Sequence, residues 1–324
     1  LFTGGTKEDT TTRILYAFGL SDTGNESDYY KVKERALLER IIRDNKNQNF
    51  TGRLHDLIMR MDNLEKQEAQ IIERSLASAK EFAKNSTFIS KEDDKKLSIA
   101  KALENNEVVY IRSSIDNEVI KKATRVFIME LTQQLRNLNE LGTKKDHCFI
   151  GIDEVRFLVS NTLGDALATC VGFGSNFLLA YQSLLDLRNV PDVSVDTRSL
   201  EASINVNSKT TLCYGTNENE TVEWISRSSG TIQKSVARME NVEVTKYGVE
   251  TWTNDRTLNR VEENLITENK IRLLPAMSGV FMRQALLTEM LYTAWITIRE
   301  DTEENMKQLL QDSKKPPQKF LEEN

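Results

Sequence analysis

Apolar residues recur at helical spacing through the early part of the chain. Three amphipathic stripes fall within residues 29–103, and a polar segment at 43–49 separates the first two. Spacings of three and four residues are typical of helices that bury one face. The pattern therefore predicts an all-helical domain over 29–103. The stripes consist of Val32, Ala36, Leu37 and Ile41; Leu54, Leu57, Ile58, Met61 and Leu64; and Ile71, Ile72, Leu76, Ala79 and Phe82.

The residues before this domain show a different composition. Residues 1–28 are rich in Gly, Thr, Ser and Asp and contain one short apolar run, Ile14 to Phe18. Such a composition is typical of turns and connections rather than of long regular elements. We interpret 1–28 as a connecting segment around a small packed element.

The pattern changes after residue 104 to short apolar runs that alternate with helices. Strands separated by helices form parallel sheets through right-handed crossovers. Because the runs are almost continuously apolar, we expect helices on both faces of the sheet. The fold class predicted for 104–290 is therefore α/β with a mostly parallel sheet. The predicted strands are 107–111, 148–152, 176–180 and 210–214, and the predicted helices between them are 118–138 and 161–172.

Two further elements are predicted towards the end of the chain. Residues 242–252 resemble an exposed pair of strands that turns at Tyr247 and Gly248. Beyond residue 288 the pattern predicts a helix, so that 291–324 would comprise a C-terminal helix and a polar tail.

Composition excludes several classes of protein. The chain has 43 Lys and Arg against 49 Asp and Glu, a net charge of −6, which excludes a uniformly basic surface but not a local basic groove. The hydrophobic fraction of 39% excludes a disordered chain. Because Cys148, Cys170 and Cys213 are widely separated and form no C-x-x-C pair, neither a disulfide framework nor a zinc module is predicted. No apolar run is long enough to span a membrane.

Two adjacent acids follow a predicted buried strand. Asp153 and Glu154 come directly after Cys148 to Ile152, and ligands of parallel α/β sheets bind at the carboxyl ends of the strands. Phosphoryl transfer to water needs one carboxylate on the Mg²⁺ side and a second group that orients or deprotonates the water. The pair therefore has the composition of a nucleotide-hydrolysis site.

A neutral amide follows the next predicted strand. Gln182 comes after the run 176–180, and its side chain can hydrogen-bond both an attacking water and a phosphate oxygen. The alternative is that Gln182 caps the helix that contains Leu184 and Leu187. An acidic strand end followed one crossover later by an amide strand end favours a RecA-type nucleotide hydrolase.

These motifs and those after them resemble the type IV coupling proteins of the TraD/TraG branch, which are hexameric DNA-pumping ATPases of conjugation related to FtsK and HerA. The resemblance covers 105–290, and the motifs occur in the family's order. It implies a partial RecA-like nucleotide-binding domain over 104–290, with 29–103 in the place of the family's all-α domain. The motifs are Phe149 to Glu154 with Phe157 and Leu158, Ala180 to Ser183 with Asp186 and Leu187, Asn207 to Lys209 before a strand, and Glu220 to Ser226 with Gly230.

The resemblance also implies roles and partners. Asp153 corresponds to the Walker B acid on the Mg²⁺ side of ATP, Glu154 to the catalytic glutamate and Gln182 to the sensor, with ATP and Mg²⁺ as cofactors. The function implied is an ATP-driven motor that moves DNA or nucleoprotein to the channel of a type IV secretion system. The partners would be DNA, the relaxase complex or effector proteins, other secretion components and further copies in a homo-hexamer. The location would be the cytoplasmic face of the bacterial inner membrane, with the membrane anchor outside this chain.

The sequence departs from the family pattern at the phosphate loop. No G-x-x-x-x-G-K-[ST] motif occurs, and Gly4 to Lys7 has neither the loop length nor a preceding strand, so we predict a turn there. We expect the chain to be a fragment whose phosphate loop precedes Leu1, and expect it to hydrolyse negligible ATP by itself.

A second departure concerns the arginine that acts on a neighbouring subunit. Val171 to Gly174 stands where many relatives carry a basic residue. Arg156 and Arg188 are candidates for a trans-acting arginine, although a surface ion pair is the commoner state of such residues. Another basic group, Lys121 with Lys122 and Arg125, is predicted to form the solvent face of its helix.

Two other functions are compatible with the same sequence. A coupling subunit of the same fold can deliver protein effectors instead of DNA, and a non-catalytic chain can serve as a scaffold of a secretion complex. An upstream phosphate loop separates enzyme from scaffold.

Overall fold

The computed structural model divides the chain into two compact units, Leu1–Lys209 and Thr210–Asn324. The residues that the structure describes are 4–21, 28–43, 54–85, 97–143, 146–190, 195–239, 242–244, 246–248, 250–252 and 256–294.

The first unit contains helices and one parallel pair of strands. Its helices are α1 (Lys7–Ala17), α2 (Asp28–Arg43), α3 (Leu54–Asp62), α4 (Lys66–Lys84), α5 (Ile99–Glu104), α6 (Glu118–Glu140), α7 (Asn161–Thr169), α8 (Leu184–Arg188) and α9 (Thr197–Asn207). Its strands are β1 (Cys148–Ile152) and β2 (Ser175–Leu179), and a 3-10 turn, Val155–Phe157, follows β1. The predicted helices at 118–138 and 161–172 and the strands at 148–152 and 176–180 are thus present to within a few residues.

Helices α1 to α4 and the first half of α6 share one apolar core. The rings of Phe18 and Phe82 lie 6.5 Å apart at an interplanar angle of 55°, within the range of favourable tilted aromatic pairs. The segment before α2 is therefore part of the helical packing. The fully buried members of this core are Ile14, Ala17, Leu20, Leu38, Leu57, Met61, Ile72, Ala79 and Val126.

The buried face of α2 differs from the predicted stripe. Leu37 and Ile41 are buried as expected, but Val32 is 53% exposed and the buried face instead includes Glu34. The Glu34 carboxylate accepts hydrogen bonds from the Ser75 backbone N–H, at 3.0 Å, and from the Ser75 hydroxyl, at 2.5 Å. These two hydrogen bonds compensate for the burial of the carboxylate, so the face of α2 that carries Glu34 can pack against the core.

β1 and β2 pair in parallel, with Ile152 opposite Leu179. The pairing extends past the strands, because the Ala180 N–H donates to the Ile152 carbonyl at 2.9 Å. The strand residues alternate in exposure, and the Phe149 side chain is 66% exposed. Among the described residues, the two faces of this strand pair are therefore more exposed than we expected from the continuously apolar sequence of the strands.

The strand predicted at 107–111 is absent from the structure. These residues have no regular secondary structure, and Val108 and Tyr110 are 100% and 90% exposed. A β-branched, apolar run forms a strand only where another strand pairs with it, and none of the described strands does.

The second unit is dominated by antiparallel strands. They are β3 (Thr210–Tyr214), β4 (Thr231–Met239), β5 (Val242–Val244), β6 (Glu250–Trp252), β7 (Arg256–Asn264), β8 (Ser278–Arg283) and β9 (Glu289–Tyr292), with helices α10 (Asn219–Ser228) and α11 (Glu268–Arg272). The pairings are β3 with β8, β8 with β9, β4 with β7, and β5 with β6. The small core consists of Val222, Ile225, Ile266, Ile271 and Val280.

Three predictions for this part of the chain have different outcomes. The strand predicted at 210–214 is present as β3, but it pairs antiparallel with β8 instead of joining the parallel sheet. The strand pair predicted at 242–252 is present as β5 and β6, and Tyr247 and Gly248 lie in the turn between them. The helix predicted to begin beyond residue 288 does not begin there, because residues 289–292 form β9 against β8. The rest of the predicted helix and the polar tail, 295–324, lies outside the described residues. Among the helices that are described, none has the length and apolarity to cross a bilayer.

A buried carboxylate fastens the first helix to α6. Asp9 accepts the backbone N–H of Thr6 at 3.0 Å, and it also accepts hydrogen bonds from Arg136 at 2.8 Å and Asn137 at 2.9 Å. Burial raises the pKa of Asp9, but the hydrogen bonds from Asn137 and Thr6 and the charge of Arg136 lower it more, so the net pKa is below the ordinary value. The folded state therefore favours ionised Asp9.

We predict that Asp9→Ala lowers the free energy of unfolding at pH 7 by about 1–3 kcal/mol, since it removes a helix cap and two further hydrogen bonds. Because the folded-state pKa is depressed, this contribution is complete above the pKa of the unfolded chain and is lost as the pH falls through the folded-state pKa. Urea unfolding at several pH values measures it. The exposed neighbour Glu8→Ala is the control, and equal effects of the two substitutions at pH 7 would contradict the prediction.

Candidate functional site

The parallel pairing brings two polar strand ends to one edge of the sheet. Asp153 and Glu154 follow β1, and Gln182 lies three residues past the end of β2. The Gln182 amide Nε2 donates a hydrogen bond to Glu154 Oε1 at 3.2 Å. The three residues singled out in the sequence therefore lie together, although their catalytic roles remain predictions.

The backbone at Glu154 holds an unusual conformation. Its φ and ψ angles of 49° and 50° lie in the left-handed region, which side chains other than glycine rarely adopt. Two hydrogen bonds hold the turn: the Glu154 N–H donates to Asp153 Oδ1 at 2.9 Å, and the Val155 N–H donates to the Ala180 carbonyl at 3.0 Å. Non-glycine residues in this region concentrate at functional sites.

The turn after Glu154 rests on two cations of α6 that the sequence did not identify as buried. Lys121 and Arg125 are only 7% and 8% exposed, so the prediction that they face solvent is wrong for both. Arg125 donates to the Phe157 carbonyl at 3.0 Å, and the Lys121 ammonium lies 5.4 Å from the centre of the Phe157 ring. Their long apolar stems make this burial possible. Lys122 is exposed as predicted.

Asp186, on α8, contacts the loops that follow both strands. Its Oδ2 accepts the backbone N–H groups of Gln182 at 3.0 Å and Ser183 at 3.2 Å. Its Oδ1 lies 3.4 Å from the guanidinium of Arg156. The sequence does carry a signal for the contact with Ser183, because an acid three residues after a serine is typical of a helix start.

Both candidate trans-acting arginines form ion pairs within their own chain. Arg156 pairs with Asp186, and Arg188 makes two contacts with Glu201, Nε to Oε2 at 2.5 Å and Nη2 to Oε1 at 3.0 Å. A trans-acting role for either arginine stays a prediction.

The donor set fits Mg²⁺ bound through few protein ligands. Asp153 is exposed, and among the described residues its carboxylate accepts one hydrogen bond, from the Glu154 N–H to Oδ1. Mg²⁺ in nucleotide sites keeps several waters and takes one or two carboxylates together with phosphate oxygens. The described residues contain no cluster of three or more His, Cys, Asp or Glu side chains that would hold a metal alone.

The turn predicted at residues 4–7 is a bend at Gly4 and Gly5 that leads into α1, which begins at Lys7. Gly5 has a φ of 83°, and Thr6 is the N-cap of α1. The Thr6 hydroxyl accepts the Asp9 N–H at 3.1 Å. These backbone groups belong to a helix cap rather than to a phosphate loop.

The comparisons with known proteins agree with this arrangement. The model of the family described as "Type IV secretory system Conjugative DNA transfer" matches residues 4–286. No curated protein sequence matches the chain.

Solved structures of a conjugative coupling protein share the fold. The unbound form of TrwBdeltaN70, a bacterial conjugative coupling protein, is 14% identical, and the match covers 90% of this chain and 69% of that one with a TM-score of 0.60. TrwB with ADP and Mg²⁺ is 16% identical over 92% and 71% of the two chains, with a TM-score of 0.61. TrwB with the ATP analogue ADPNP is 15% identical over 89% and 69%, with a TM-score of 0.58. The predicted α/β, RecA-like fold class is therefore confirmed.

The ion pair of Arg188 and Glu201 provides a test of its structural role. Their side chains are 37% and 13% exposed, and the two-point contact is geometrically favourable, so we predict a coupling energy of about 1 kcal/mol in a double-mutant cycle of Arg188→Ala and Glu201→Ala. The exposed pair Arg227 and Glu223 within α10 is the control, with an expected coupling of about 0.3–0.5 kcal/mol. Denaturant unfolding measures both. A coupling energy of zero between Arg188 and Glu201 would contradict a structural role for this ion pair.

Proposed function

Because this chain belongs to the type IV secretory system conjugative DNA transfer family, we propose that it couples ATP hydrolysis at the edge of β1 and β2 to movement of DNA or nucleoprotein into the secretion channel. The observation that carries the proposal is the hydrogen bond from Gln182 to Glu154 at 3.2 Å, beside Asp153. A carboxylate pair and an amide at adjacent strand ends match what hydrolysis of a nucleoside triphosphate requires.

The nucleotide and the metal are proposed from the site and supported by the relatives. TrwB structures of the same fold hold ADP with Mg²⁺ and ADPNP. Asp153 would hold Mg²⁺ through its exposed carboxylate. When bound there, Mg²⁺ would supply positive charge that offsets the charge developing on the phosphate oxygens.

Glu154 would deprotonate the attacking water, and Gln182 would help to position it. One oxygen of Glu154 accepts the Gln182 amide N–H, which leaves the other oxygen to accept a proton from water. The amide oxygen of Gln182 can accept the second hydrogen of the same water. The left-handed turn fixes the direction of the Glu154 side chain, so little reorganisation is needed when water binds.

The cargo and the assembly belong to the same proposal. We place DNA with its relaxase complex as the substrate, secretion components as partners and a homo-hexamer at the cytoplasmic face of the inner membrane as the working form. Family membership supports DNA and secretion components as partners.

We predict that Glu154→Gln in the intact protein lowers the turnover number for ATP by at least about 100-fold, since positioned proton transfer contributes this much, while ATP binding is retained. The phosphate release assay and equilibrium binding of a fluorescent ATP analogue measure the two quantities. Glu140→Gln is the matched control, because Glu140 is exposed at the end of α6. Unchanged turnover of the Glu154 variant would remove this residue from the mechanism.

The same assay with DNA separates the candidate functions. Stimulation of hydrolysis by single- or double-stranded DNA supports a DNA motor. Hydrolysis that responds to an effector protein but to neither DNA supports effector delivery, and absence of hydrolysis in the intact wild type supports a scaffold.

A further inference from the structure

We propose that Asp186 is a positioning residue that holds Gln182 against Glu154. The inference rests on the proposed function, because the geometry that Asp186 maintains is the one assigned to ATP hydrolysis. Asp186 does not contact Glu154 itself and acts through its neighbours.

Three donors converge on this one carboxylate. The N–H groups of Gln182 and Ser183 reach Oδ2 at 3.0 and 3.2 Å, and Arg156 lies 3.4 Å from Oδ1. The Gln182 side chain is exposed and is not held by packing. The position of its amide therefore depends on its backbone, and Asp186 fixes that backbone.

The contact with Arg156 ties Asp186 to the other loop. Arg156 lies in the 3-10 turn that begins directly after Glu154. Asp186 thus joins the loop after β1, which carries the acids, to the loop after β2, which carries the amide. The side chain of Asp186 is 15% exposed, whereas that of Arg156 is 45% exposed, so the carboxylate is the better shielded half of this link.

The helix that carries Asp186 is itself anchored. Leu184 and Leu187 are 2% and 0% exposed, and Arg188 at the end of α8 pairs with Glu201 on α9. Asp186 therefore has a fixed frame from which to orient the Gln182 backbone.

Asp196 is a helix-capping carboxylate that provides a comparison for Asp186. Its carboxylate accepts the N–H groups of Arg198 and Ser199 at 3.2 Å each, at the start of α9. Like Asp186 it accepts two backbone N–H groups, but among the described residues it has no contact with Gln182, Arg156 or Glu154. Asp196→Ala is therefore the matched control for loss of two backbone hydrogen bonds.

The test compares Asp186→Ala, Asp186→Asn and Asp196→Ala in the intact protein. We expect Asp186→Ala to lower kcat for ATP about 10-fold with little change in KM, because loss of orientation affects the reaction step more than nucleotide binding. Asp186→Asn keeps one acceptor oxygen and should recover part of this loss. Asp196→Ala should leave kcat within about twofold. Equal losses in Asp186→Ala and Asp196→Ala would overturn the inference.

A second readout does not depend on activity. Hydrogen exchange of the Gln182 and Ser183 backbone amides, followed by NMR or mass spectrometry, should accelerate about 10-fold in Asp186→Ala and remain unchanged in Asp196→Ala. Unchanged exchange in Asp186→Ala overturns the inference even if the protein hydrolyses ATP. If the wild type hydrolyses no ATP, the proposed function fails, and faster exchange then still supports Asp186 as the residue that holds Gln182.

Discussion

The parallel hydrogen-bond ladder between β1 and β2 is the interaction on which the candidate site depends. It puts the carboxyl ends of both strands at one edge, and its continuation through Ala180 holds the left-handed turn at Glu154. Residues far apart in the chain thereby come within 3.2 Å of each other. An antiparallel arrangement would send the two strand ends to opposite edges and separate the acids from the amide.

Helix α6 supports this edge and the helical core at the same time. Near its start, Lys121 and Arg125 hold Phe157 in the turn after the acids, and near its end Arg136 and Asn137 hold Asp9 at the start of α1. A single amphipathic helix thus joins the packing of the all-α part to the geometry of the strand ends. Its buried charges are tolerated because each is paired or hydrogen-bonded.

The hydrophobic pattern of the sequence predicted helices and strands whose formation depends mainly on the residues within them. It also predicted that Asp153, Glu154 and Gln182 are neighbours, because the ends of parallel strands lie at the same edge of a sheet. Long-range pairing was not predictable in the same way. Residues 107–111 have the pattern of a strand, but no strand in the described part of the chain pairs with them. Residues 289–292 pair with β8 instead of forming a helix. Lys121 and Arg125 are buried where they contact Phe157, which lies 32 residues after Arg125 in the chain. Helical periodicity does not include so distant a contact, so it predicted both side chains to be exposed.

The most direct measurement is a kinetic double-mutant cycle of Glu154→Gln and Gln182→Ala in the intact protein, with kcat for ATP as the readout. If the two side chains orient the same water, the double variant should be no more than about threefold slower than the slower single variant, because groups that act as a unit are strongly non-additive. Losses that multiply would show that Glu154 and Gln182 act independently and would contradict a shared hydrolysis site at this edge.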